Sequence, residues 1–294
     1  MRNQTTGNLA LAGYNDIFNI GSGGDTITEI ALDELHEPEC HPFQVNNDDA
    51  MMALVESIRQ SGVREPGLAR PRAEGGYELL CGNRRKMACQ LAGLATMPVI
   101  VRELNDDDAA IAMVDSNLLH RERILPSEKA WAYRMKMEAL NHKGVKNGKH
   151  SADIITAQTG DSRNTIFRLI RLTELVDLLL EKVDAREIAF NPAVELSYLS
   201  YDEQFLVVEG MGKYDMKPSL SQTVRLKVLK QSGELTAEQI DEILAEEKES
   251  PTSEAKITLH YRKYFPPDYS PKQVEETIIM LLKNWQSQRA EVSA

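Results

Sequence analysis

The stretch YELLCGNRRKMACQLAG, residues 77–93, leaves few folds open. Leu79, Leu80 and Cys81 end a short apolar run at a Gly82-Asn83 turn. Met87, Leu91 and Leu94 then recur at helical spacing. The pattern predicts strand, tight turn, helix. A strand needs a partner strand for its backbone N–H and C=O groups, so this stretch demands a sheet. Arg84 and Arg85 fall where the helix begins. A helix start already carries partial positive charge and open N–H groups, so cations there are unfavourable unless an anion is expected. The plainer alternative is ion pairing with acidic surface neighbours, which contributes little to stability.

The flanking sequence supplies the rest of a small α/β domain over 26–120, after a Gly- and Asn-rich tail at 1–25. ITEIALDEL alternates like a strand, and NNDDAMMALVESIRQSG reads as a helix with Asp48 and Asp49 near its start. GLARPRAEGGYELL reads as a hairpin around Gly75-Gly76. MPVIVREL is a buried strand, and DDDAAIAMVDSNLL a helix with three aspartates at its favourable end. After Pro126 the strand signals stop. PSEKAWAYRMKMEALNHKG is a long helix ended by Gly144, and several more helices complete a helical domain over 121–245. In it, Asn191-Pro192 reads as a cap followed by the first helical position. EEKESPTSEAK, 246–256, is a charged linker. The remaining 257–294 holds a possible strand, ITLHYRKYF, and a helix placing Val274, Ile278, Leu281, Leu282 and Trp285 on one face. That face suits pairing with a second copy, or packing back on the chain's own helices.

The sequence carries 45 acidic against 34 basic residues, a net charge of −11, which alone argues against nucleic acid. The charge is uneven, however. Residues 141–171 hold Lys143, Lys146, Lys149, Arg163, Arg168 and Arg171. Within them, 152–172 (ADIITAQTGDSRNTIFRLIRL) has the form of a helix-turn-helix. Gly160 supplies the sharp turn and Ser162 the cap, while Ile166, Leu169 and Ile170 face inward. Ser162, Arg163, Asn164, Thr165, Arg168 and Arg171 are then the candidate DNA contacts, because Arg pairs with guanine, Asn with adenine, and Thr with phosphate or a thymine methyl. Thr156 stands four before Gly160, where a smaller residue is usual. The alternative is an ordinary helix pair with a solvated basic face. Cys40, Cys81 and Cys89 form neither a metal spacing nor an even disulfide set. With no signal-peptide pattern and no apolar run long enough to cross a membrane, the expectation is a reduced, cytoplasmic protein.

Several blocks in order resemble the ParB family. YELLCGNRRKMACQLAGLATMPVIV carries the family's G-x-R-R loop, helix, glycine and P-x-I-V strand. HPF at 41–43, SIRQSGVREPGLARP at 57–71, DSNLLHRERILPSEKAWAY at 115–133 and KVDAREIAFNPAVELSYLS at 182–200 are similar to other family blocks. The resemblance spans about residues 26–210. It implies an α+β architecture: a ParB/sulfiredoxin-like N-terminal domain, a helical helix-turn-helix domain and a short C-terminal dimerisation segment. It implies a site-specific binder of double-stranded DNA acting in chromosome, plasmid or mobile-element partition. It further implies a homodimer, a ParA-like ATPase partner, and a nucleoid-associated place in a bacterial cytoplasm without membrane attachment. The G-x-R-R loop would hold CTP, with Gly82, Asn83, Arg84, Arg85, Asn117 and Arg121 as binding residues, and the chain would be a clamp with slow CTP hydrolysis. Mg²⁺ would be held by Asn117 and Asp115. The family's glutamate before that asparagine is Ser116 here, and SNLLHRE is one residue longer than the usual block.

Two other readings stand beside it. Sulfiredoxin and a free-serine kinase share the N-domain fold, so a nucleotide-dependent enzyme is the rival class. Cys81 precedes Gly82, whereas sulfiredoxin's cysteine follows the glycines, and neither enzyme needs a helix-turn-helix. A nucleoid-occlusion relative would use residues 9–20 as a membrane helix, but these contain no Lys or Arg.

Overall fold

The computed structural model describes residues 26–39, 41–45, 47–120, 124–143, 148–246, 264–266 and 269–292. The chain separates into two compact units, one ending at Glu246 and one following it.

The first unit begins with a five-stranded mixed sheet. Its strands are β1 (Ile27–Ala31), β2 (Leu35–His36), β3 (Gly67–Pro71), β4 (Tyr77–Cys81) and β5 (Thr96–Val101). They lie in the order β1-β5-β3-β4-β2. β1 runs antiparallel to β5 and β3 antiparallel to β4, while β3/β5 and β2/β4 are parallel. The alternating ITEIALDEL segment is not one strand. Glu34 N donates to Ala31 O at 3.1 Å, turning the chain so that β2 pairs with a different neighbour. The β3–β4 hairpin closes through Arg72 and Gly76, and a Cβ on Gly76 (φ 70°) would lie 2.8 Å from Glu34 O. Only glycine fits there.

Strand alternation sends adjacent apolar residues to opposite faces. Leu79 and Val99 join Met51, Val55, Ile58 and Cys89 under α1 (Asp49–Ser61) and α2 (Asn83–Ala92). Leu80 and Ile100 join Leu68 and Ala109 under α3 (Asp106–His120). Both faces are thus covered, and the end of β4 is pinned where α2 starts.

The helices that follow are α4 (Pro126–His142), α5 (Gly148–Thr159), α6 (Arg163–Arg171), α7 (Asp177–Asp184), α8 (Phe190–Leu196), α9 (Tyr201–Lys213), α10 (Leu220–Ser232) and α11 (Ala237–Ala245). Tyr133, Ile155, Ile166, Leu172, Leu179, Leu196, Val207 and Leu226 belong to their single shared core. Glu128 fastens α4 to the sheet domain: its carboxylate accepts from Leu125 N at 3.0 Å and from Gln44 N at 2.8 Å. Ser200, Ser219 and Thr236 cap α9, α10 and α11, each with a reciprocal Glu or Gln three residues on. The α8 start differs from the sequence expectation. Phe190 is already helical, and Asn191 Oδ1 accepts from Arg168 Nη2 at 2.7 Å instead of capping.

The second unit contains α12 (Pro271–Val292), whose Ser270 and Gln273 bond reciprocally at its start. Val274 is buried, while Ile279, Met280, Leu281 and Leu282 are exposed. The tail at 1–25, most of ITLHYRKYF and the Trp285 side chain lie outside the described residues.

Candidate functional site

Gly82 ends β4 with φ 112°, a left-handed conformation that L side chains rarely adopt. A Cβ there would also approach Gly67 Cα to 3.3 Å. Having no side chain, Gly82 leaves α2 without a side-chain cap, and the helix start opens toward a cavity of about 110 Å³. His41, Leu80, Gly82, Asn83, Arg84, Arg85, Ser116 and Asn117 line it. That volume holds a phosphate group rather than a whole nucleotide. N–H donors at a helix start with two guanidiniums beside them are suited to an anion.

The two arginines are held differently. Arg85 Nη1 donates to Glu65 O at 2.5 Å and Pro66 O at 2.7 Å, which fixes its guanidinium against the β3 entry loop. Arg84 Nη2 lies 3.5 Å from Asp48 Oδ1 with both groups partly solvated, a loose pair that an arriving anion can replace. Asn83 is buried; its Nδ2 is 3.0 Å from His41 Nε2, and its Oδ1 has no hydrogen-bond partner. Asn117 Nδ2 donates to Met113 O at 2.8 Å, which orients its side chain along α3.

Asp115 and Asn117 are not brought to one point. Asn117 lines the cavity, whereas Asp115 turns the other way and its carboxylate accepts from Lys136 Nζ. Lys136 is 1% exposed and also donates to Gln158. Withdrawing Asp115 would strand a buried ammonium, so the carboxylate is committed to that pair. Among the described residues no cluster of three or more His, Cys, Asp or Glu could hold a metal. Arg121 lies outside the described residues. Cys81 is buried, and burial pushes its thiol up to about 11. A thiol so placed is not a nucleophile near neutrality.

In the helix-turn-helix, Gly160 takes φ 77° between α5 and α6. Asp161, next in sequence, accepts from Tyr133 OH and Lys129 Nζ, both at 2.5 Å, which ties the turn to α4. Ser162 caps α6 by accepting from Thr165 N at 3.2 Å. Ile166 and Leu169 are buried beneath. Arg163, Asn164 and Phe167 form the exposed face, with Arg163 Nε paired to Asp153 on α5. The other two arginines face the support helix. Arg168 bonds Asn191 and lies 4.9 Å over the Phe190 ring. Arg171 donates to Ser197 O at 2.6 Å and lies 4.4 Å over the Tyr198 ring. Sequence reasoning missed His41 and Phe167. Phe167 could have been found, because it falls three residues after Asn164 on the face opposite Ile166 and Leu169.

These features define a class: a mixed-sheet domain with a glycine–arginine loop at a helix start, followed in the same compact unit by a helix-turn-helix. Residues 20–118 match the family model for the ParB N-terminal domain. The chain is 33% identical over 172 residues to the probable chromosome 1-partitioning protein ParB of Deinococcus radiodurans, covering 58% of this chain and 55% of that one. It is 32% identical over 182 residues to the chromosome-partitioning protein Spo0J of Thermus thermophilus, covering 62% of this chain and 63% of that one. Among solved structures it is similar to a C-terminally truncated chromosome-partitioning protein ParB from Caulobacter crescentus complexed with CTP-γ-S, at 27% identity and TM-score 0.31, covering 64% of this chain and 98% of that one. The chain thus spans 55% and 63% of the lengths of the two curated relatives. Among the described residues no helix is long and apolar enough to cross a membrane.

Proposed function

We propose that this protein is a ParB-like, site-specific DNA-binding protein acting in partition of a bacterial chromosome, plasmid or mobile element, and that a nucleotide triphosphate, CTP by family resemblance, regulates it. The observation that carries the reading is the cavity at the start of α2, where Gly82, Asn83, Arg84 and Arg85 meet in the same compact unit as a capped helix-turn-helix. Phosphates would bind the α2 start and the Arg84 guanidinium. Mg²⁺ would arrive on the nucleotide's own phosphate oxygens. Arg163, Asn164 and Phe167 would enter the major groove, with Ser162 and Thr165 near the backbone. Arg168 and Arg171 would hold α8 behind the reading helix. The working form would be a homodimer joined through α12, in the nucleoid-bearing cytoplasm, served by a ParA-like ATPase. Slow CTP hydrolysis would reset the clamp, and no catalytic residue is assigned to it.

Genome-wide DNA capture with the purified protein, with and without CTP, tests this reading. A few discrete sites, with occupancy spreading outward from them when CTP is present, is the expected pattern. Uniform recovery of DNA at all salt concentrations would contradict it. The enzyme reading would be supported instead by ATP-dependent phosphoryl transfer to a small acceptor.

A further inference from the structure

Phe167 belongs to the exposed face of α6 and differs in kind from the rest of it. It follows Asn164 by three residues and Arg163 by four, so the three side chains share one side of the helix, opposite buried Ile166 and Leu169. The residue is 44% exposed. A single exposed phenylalanine is ordinary on a protein surface, but the position of this one limits what it can meet. Beyond Asn164 the side chains on or beside that face are Phe167, Arg168 and Arg171. Both arginines are turned to α8, the first bonded to Asn191 and the second to Ser197. Thr165 Oγ1 is 2.8 Å from Ser162 Oγ, within the helix cap. The polar part of the face therefore ends at Asn164, and an aromatic ring continues it.

A phenyl ring offers no conventional hydrogen-bond donor or acceptor. Guanine, adenine and cytosine present N7, O6, N6 or N4 in the major groove, and each of these atoms requires a partner. A ring pressed on such an edge removes water from a polar atom and returns no bond, which is unfavourable. Thymine is different, because its C5-methyl is an apolar group standing in the groove. We propose that Phe167 reads thymine: its ring packs on the C5-methyl of one thymine in each half of the DNA site and disfavours the other bases there by desolvating them. The inference rests on α6 being the DNA-reading helix, and it deepens that reading by assigning a base and the group on the base that is recognised. A helix rises about 1.5 Å per residue, so Phe167 stands about 4.5 Å along the axis from Asn164, against about 3.4 Å between base pairs. The thymine belongs within about two base pairs of the base that Asn164 contacts.

The test uses the full chain and the duplex recovered by genome-wide capture, with thymines replaced one at a time by deoxyuridine. Deoxyuridine lacks only the 5-methyl and pairs with adenine as thymine does. In fluorescence anisotropy, wild type should lose affinity by about fourfold at one thymine per half-site, the effect of one buried methyl-sized group. Phe167→Ala should bind the thymine and deoxyuridine duplexes equally at that position, and Phe167→Leu should keep part of the preference. The wild-type scan stands whether or not a variant folds. A flat wild-type scan on a duplex that is bound specifically would overturn the assignment and leave the DNA reading intact. A deoxyuridine penalty kept in full by Phe167→Ala would also overturn it, since another side chain would then hold the methyl. Failure of wild type to recover any discrete site would overturn the DNA reading and this inference with it.

Discussion

Arg84 and Arg85 are adjacent in sequence, yet only one of them is available to a ligand at little cost. Arg85 is engaged by two backbone carbonyls, so removing it would disturb the β3 entry loop as well as the cavity. Arg84 gives up only a loose pair with Asp48. Replacement of Arg84 is therefore the cleaner probe of anion binding. Thr156 offers a second test at this scale. Its hydroxyl is buried in α5 without a partner, at the position where the sequence already stood out for its size. Thr156→Val keeps the volume and removes the unsatisfied oxygen, and thermal melting should show stabilisation of about 1 kcal/mol. A lower melting temperature would mean that the hydroxyl is bonded in solution. The arginines and Gly82 were legible from sequence because charge at a helix start is locally anomalous. The His41–Asn83 contact was not, because it joins residues 42 positions apart that no periodicity links.

Among the elements, α6 was the most legible, since cap, turn glycine and apolar spacing all agree. The role of its last turn was not, because Arg168 and Arg171 choose between solvent and α8 only once α8 is placed. Arg163→Ala or Asn164→Ala should weaken binding to the captured site by about 1–3 kcal/mol, as for a lost base contact. Arg171→Ala should lower thermal stability. Fluorescence anisotropy on specific and scrambled duplexes distinguishes these, and an Asn164 variant indistinguishable from wild type would move the reading face elsewhere. A buried lysine joins three helices: Lys136 on α4 holds Asp115 on α3 and Gln158 on α5. Asp115→Ala should cost about 3–5 kcal/mol in urea denaturation, while replacing both partners, Asp115→Leu with Lys136→Met, should be nearer neutral. Equal losses would refute the stranded-charge account. The turn itself responds to acid. Burial pushes the Asp161 carboxyl up, but hydrogen bonds from Lys129 and Tyr133 more than offset this and hold it below the usual range. Its contribution is present above the unfolded carboxylate value of about 3.9 and is lost as pH falls through the lower folded value. Asp161→Asn should flatten that acid limb.

For the whole molecule, the excess of acid means that the proposed DNA contact must rest on one local face rather than on net charge. The run Ile279, Met280, Leu281 and Leu282 on α12 is exposed, and it is the surface proposed to meet a second copy. Leu281→Lys with Leu282→Lys should convert a dimer to a folded monomer by light scattering, and a retained dimer would place the contact elsewhere. The sequence separated the sheet region from the helical region clearly, because strand signals end near Pro126. The commitment of Asp115 to Lys136 was hidden, since a buried lysine looks in sequence like any surface one. The central claim is that one compact unit carries two separable sites, an anion loop at Gly82 and a DNA-reading helix at α6. Calorimetry of Arg84→Ala with CTP, with the same preparation titrated onto the captured duplex without nucleotide, tests it most directly. The expected result is loss of CTP binding with DNA affinity unchanged; CTP binding equal to wild type, or loss of both activities in a protein that still melts as wild type does, would contradict it.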